Sequence, residues 1–141
     1  MRKKFFYIVV AFIFIGVILG TINILLCDKM SNITTQISQS SDVQISLKDY
    51  KSGNCIAIDD PVNRDEFCKS IAKIKYDGLF LGRDYITNDE QAYSVIISSK
   101  DMYIIVIISD LAGQAYVVGD SFNIAIRNFE DLYIMTKSAF N

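Results

Sequence analysis

Residues 5–26 form a run of 22 residues without a charge, and no other feature of the 141-residue chain restricts its fold so strongly. Only Gly16, Gly20, Thr21 and Asn23 interrupt its apolar character. As an α-helix rising ~1.5 Å per residue the run is ~33 Å long, close to the ~30 Å hydrocarbon core of a bilayer. It predicts a transmembrane signal-anchor helix that contacts membrane lipid. Flanking charge predicts the orientation. Arg2, Lys3 and Lys4 precede the run, whereas Asp28 and Lys29 cancel each other after it. Basic side chains resist translocation, so residues 1–4 are expected in the cytoplasm and the C-terminal part beyond the cell membrane, in a single pass.

Two other fates compete with the anchor. A signal peptide carries an apolar region of only ~7–15 residues. Cutting this one after Gly20 would leave Ile22, Ile24, Leu25 and Leu26 exposed. The stretch Ile24-Leu25-Leu26-Cys27 resembles the lipobox of a lipoprotein anchored through Cys27, but Leu26 is large where that motif needs a small residue.

Beyond residue 27 the chain carries 11 basic and 16 acidic side chains, a net −5. Such a domain repels phosphate backbones, so nucleic acid is not an expected partner. The chain contains no histidine. Serine and cysteine triads built on an imidazole base, and histidine zinc sites, are thereby excluded. No glycine-rich nucleotide loop and no Cys-x-x-Cys pair occurs. No catalytic residue, cofactor or metal is expected.

Residues 31–42 are mostly Ser, Thr, Gln and Asn, with Ile33 and Ile37 the apolar members, and read as a flexible spacer. From Val43 the pattern alternates. Val43, Ile45 and Leu47 point one way and Gln44, Ser46 and Lys48 the other, the period of a half-buried strand. A turn at residues 51–53 leads to a second strand at residues 55–58. A helix follows, started at Asp60-Pro61 or Asn63, carrying Phe67, Ile71 and Ile74 on one side, and ended by Gly78. Strands are expected at residues 79–86, 93–98, 102–108, 115–118 and 122–126. A final short helix is expected with Asn128 as its cap. Residues 102–108 are apolar without a break, the mark of a central strand covered on both faces.

The expectation is an α+β fold: an N-terminal transmembrane helix, then a small domain with a mainly antiparallel sheet and two helices. Its divisions are a basic start at 1–4, the span at 5–26, a polar linker at 27–42 and an extracytoplasmic domain at 43–141. The layout resembles that of small anchored extracytoplasmic proteins of bacteria, a likeness of organisation that transfers no residue roles.

Cys55 and Cys68 are candidates for a disulfide closing a loop of ~12 residues. Two acidic clusters invite a chemical reading: Asp59, Asp60, Asp65 and Glu66, and Asp84, Asn88, Asp89 and Glu90. Either would suit calcium or a carboxylate-pair hydrolase of envelope polymers, although acids at helix starts and turns ordinarily serve capping and solvation. Tyrosine is abundant, and Tyr85, Tyr93 and Tyr116 are the candidate interaction face. The expected function is a non-enzymatic binding module, of inhibitor, immunity, sensor or accessory type, acting on another envelope or membrane protein.

Overall fold

A computed structural model of the chain describes residues 2–79, 92–100, 102–109, 113–118 and 123–141. It opens with one uninterrupted helix, α1 (Arg2–Ser38), of 37 residues, or ~55 Å at ~1.5 Å per residue. Its apolar stretch is exposed on every side, making it the one described helix long and apolar enough to cross a membrane.

Then follow β1 (Gln44–Asp49), β2 (Cys55–Ala57), α2 (Pro61–Ala72), β3 (Lys75–Leu79), β4 (Ala92–Ser99), β5 (Met102–Ser109), β6 (Gln114–Val117), β7 (Ile124–Arg127) and α3 (Glu130–Ala139). The seven strands form one antiparallel sheet in the order β2-β1-β4-β5-β6-β7-β3. The fold is α+β, with the expected succession of elements. Part of the strand expected at 79–86 lies outside the described residues.

Ile45, Leu47, Val95, Ile97, Val106 and Ile108 meet Phe67 and Ile71 of α2 and Leu132 of α3 in a single core. The helices therefore lie on one face of the sheet. α1 joins them there, and this corrects the spacer. Residues 31–38 are helical, Thr34 is buried, and Ile37 is 0% exposed within the core. Met30, Ile33, Thr34 and Ile37 stand at i, i+3, i+4 and i+7, one helical stripe. Counting only its two isoleucines hides that stripe, because Met30 lies before the polar segment and Thr34 is polar.

Local chemistry shifts other boundaries. Asp60 caps α2 by accepting the Asn63 N–H at 2.9 Å, with Pro61 in the first turn. α2 ends at Ala72, not at Gly78. Asn128 does not cap α3; it takes a left-handed φ of 54° that asparagine tolerates, and Phe129 occupies the cap position without a side-chain bond.

The two cysteines stand unbridged, as free thiols. Cys55 pairs across the ladder with Lys48, on the face opposite Leu47 and the helices. Cys68 packs against the core on the helix side, where burial pushes its thiol pKa up. The sheet itself lies between them.

Candidate interaction face

The ladder registers assign the paired strand residues to a face, because residues directly opposite point the same way. On the face away from the helices one row reads Ser46, Ile96 and Ile105, and the next reads Lys48, Ser94, Ile107, Tyr116 and Ala125. A third row at the sheet's end reads Gln44, Ser98 and Tyr103. These rows are unequally covered. Ser94, Ile107 and Tyr116 are buried, Ile96 and Ile105 are half-buried, and Tyr103 is 65% exposed. Val118, whose N–H donates to the Ile105 carbonyl at 2.9 Å, is 39% exposed.

The exposed end thus carries Tyr103, Ile105, Ile96 and Val118 among Ser98, Ser46 and Gln44. It is an apolar patch with a hydroxyl and amide rim, located on central strands. Full burial on both faces, expected for residues 102–108, holds only at the Ile107 end. Tyr103, beside the β4–β5 turn where Lys100 has a φ of 44°, has no described cover.

The expected tyrosine face does not assemble. Tyr93 pairs with Asp49 and Ile108 and so faces the helices; it is 3% exposed, stacked on Phe140 at 5.8 Å and beside Tyr133 at 6.1 Å. Tyr116 lies on the open face but is 5% exposed. Tyr85 lies outside the described residues. Among the described residues, Tyr103 is the exposed tyrosine on the open face. Its signal was its place one residue into a strand after a polar turn, where an unbroken apolar run begins to emerge from the sheet.

Two members of the first acidic cluster serve local structure. Asp60 caps α2, and Asp65 pairs with Lys69 one turn on at 2.5 Å, both side chains well exposed. Among the described residues no three His, Cys, Asp or Glu side chains converge as metal ligands. The second cluster, Asp84 to Glu90, lies outside the described residues. A shallow cleft of about 400 Å³ between α2 and α3 is lined by Lys73, Ile74, Lys75, Asn128, Glu130 and Asp131. The exposed Lys73–Asp131 pair at 2.8 Å crosses its two flanks, so its charges are already balanced.

Among the described residues, polar contacts at three levels fasten α1 and the turn after it to the sheet. Near its end, Ser40 and Ser99 both donate to Asp42, the latter at 2.6 Å, and the two hydroxyls hold that carboxyl below the usual range. Midway, Thr34 bonds the Tyr76 hydroxyl, whose pKa burial pushes up. Lowest, the Leu79 N–H donates to Asn23 Oδ1 at 3.0 Å. There β3 shifts register against β7 between Tyr76 and Gly78, and Gly78 takes a φ of 116°. A Cβ on Gly78 would fall inside the Asn23 amide.

Gly78→Ala is accordingly expected to destabilise the domain by ~1–3 kcal/mol, the usual cost of a side chain held in such backbone. Thermal unfolding should register it. Adding Asn23→Ala should recover the steric part and leave the backbone part.

Cys27 sits half-buried within α1. Compared with known family models, with curated proteins and with solved structures, the chain matches none.

Proposed function

We propose that this chain is a single-pass membrane protein whose α+β domain, held on the non-cytoplasmic side, binds another membrane or envelope protein through the open end of its sheet. The observation that carries this reading is the Tyr103–Ile105–Ile96–Val118 patch. Central strands ordinarily bury such side chains, and apolar side chains ringed by hydroxyls and amides suit the core and rim of a protein interface. The continuous α1 supports an anchor, because its exposed apolar stretch is stable only in lipid. The reading is non-enzymatic. The lack of histidine and the structural employment of Asp60 and Asp65 support it over a carboxylate hydrolase. A lipoprotein held through Cys27 is the alternative anchor, and it would begin its mature chain inside α1.

A photo-crosslinker placed at Tyr103 in intact membranes should give one defined protein adduct. Ile105→Lys should abolish that adduct while the unfolding temperature stays close to the parent's. Adducts from Val62 on the helix side, with none from Tyr103, would move the interface. Loss of biological function in Asp60→Asn or Asp65→Asn with folding intact would replace the reading by the hydrolase or calcium one. A mature chain starting at an acylated Cys27 would replace the anchor.

A further inference from the structure

Because α1 is one helix, the height of any domain residue above the membrane follows from the α1 residue it touches. Starting at Phe5, a hydrocarbon layer of ~30 Å is filled by ~20 residues, reaching residue 24. Asn23 therefore stands at the hydrocarbon boundary. An amide there requires a partner, since water is scarce and an unpaired polar group is costly. Its partner is the Leu79 backbone N–H at 3.0 Å. The C-terminal end of β3 is thus at the same height.

The neighbours of Asn23 tell what else is there. Ile22, Ile24 and Leu25 occupy the same turn and are 44%, 63% and 63% exposed, with no described part of the domain covering them. Their stability needs lipid at that height. Leu79, 40% exposed, is held at the same height by its N–H bond to Asn23 and adds an apolar side chain of the sheet to that level. One turn higher Asp28 and Lys29 are exposed and charged, which sets the upper limit of the apolar zone.

We infer that Leu79, with Ile24 and Leu25, forms a lipid-contact surface that seats the end of β3 in the outer interfacial layer of the bilayer. The inference rests on the anchor reading above. The occupant is the bilayer because, among the described residues, the exposed apolar side chains at this height belong to the flank of α1 that faces lipid and to Leu79 at the same level. It also positions the interaction patch. Ser40, just past the end of α1, lies 2.6 Å from Ser99 (Oγ to Oγ), so the β4–β5 turn is level with the helix end. Asn23 to Ser38 is 15 residues, or ~22 Å of rise. Tyr103, paired with Ser98 beside that turn, is therefore held well clear of the lipid.

The test uses the full chain in phosphatidylcholine nanodiscs, which expose both faces. Cys27 and Cys55 are replaced by Ser and Cys68 by Ala, and a polarity-sensitive fluorophore is attached at Leu79→Cys or at Tyr103→Cys. The Leu79 probe should lose its emission to nitroxide-bearing lipids and be shielded from iodide; the Tyr103 probe should do the reverse. As a second readout on the unaltered chain, phosphatidylcholine carrying a diazirine near the headgroup should label the peptide containing Leu79 and spare that containing Tyr103. If the chain resists alkaline extraction but iodide quenches both probes equally and the diazirine spares Leu79, the inference falls and the anchor stands. If alkali releases the chain, the anchor falls and takes the inference with it.

Discussion

A fragment beginning at Val43 is expected to show no cooperative unfolding transition, whereas one beginning at Asp28 retains it. The expected domain boundary at residue 43 cuts through the core, because Ile37 is 0% and Thr34 3% exposed beneath the sheet. Met30 and Ile33 pack against the same cluster from the turns before. Truncating one buried isoleucine ordinarily costs ~2–5 kcal/mol, and losing the stripe removes several such side chains. A domain's whole net stability is only ~5–15 kcal/mol. Without the stripe, apolar side chains of the sheet's helix face would also meet water. Near-ultraviolet circular dichroism and calorimetry on the two fragments distinguish the outcomes. A Val43 fragment that melts cooperatively would restore residues 31–42 to the role of a spacer. Ile37→Asp in the full chain should reproduce the loss, since it buries a carboxylate with no partner.

Two adjacent positions on β5 are expected to respond oppositely to the same change. Ile104→Lys should abolish folding, whereas Tyr103→Lys should shift stability by no more than ~0.5 kcal/mol. Both belong to the central strand, but Ile104 is 2% exposed under the helices and Tyr103 is 65% exposed on the other face. A lysine forced into the core must leave its ammonium unpaired in an apolar medium, at an effective cost of several kcal/mol in addition to the lost packing. At Tyr103 the ammonium stays in water. Thermal unfolding of both variants gives the comparison directly. Equal, severe losses would mean that Tyr103 is covered and that the proposed patch is closed; equal tolerance would mean that β5 is not interior.

What could be read in advance was what depends on neighbours in the chain. Alternation of Val43, Ile45 and Leu47 with polar residues marked β1, and Asp60-Pro61 marked the start of α2, since a cap and a fixed proline φ act within one turn. Gly78 misled for the same reason. A glycine after an apolar helical stripe looks like a helix stop, yet its positive φ serves a bulge in β3 against a residue 55 positions earlier. Nothing near Gly78 in the sequence records Asn23. Tyr93 and Tyr116 were equally opaque, because tyrosine suits a core, a sheet face and an interface alike, and only the ladder register separates these.

By itself the sequence determined that residues 5–26 make a helix too apolar for water, that the rest is an α+β succession of strands and helices, and that histidine chemistry is absent. These follow from composition and from periods of 2 and ~3.6 residues, which are local quantities. The tertiary structure alone decided that α1 runs unbroken into the core, that Cys55 and Cys68 lie on opposite faces of the sheet, and that Tyr103 stands exposed on the open face. The places of Cys55 and Tyr103 depend on which strands are neighbours and in what register, and those of α1 and Cys68 on which helical stripe packs against the sheet, choices made by burial summed over the whole domain. A one-residue slip in that register would turn Cys55 and Tyr103 to the other face.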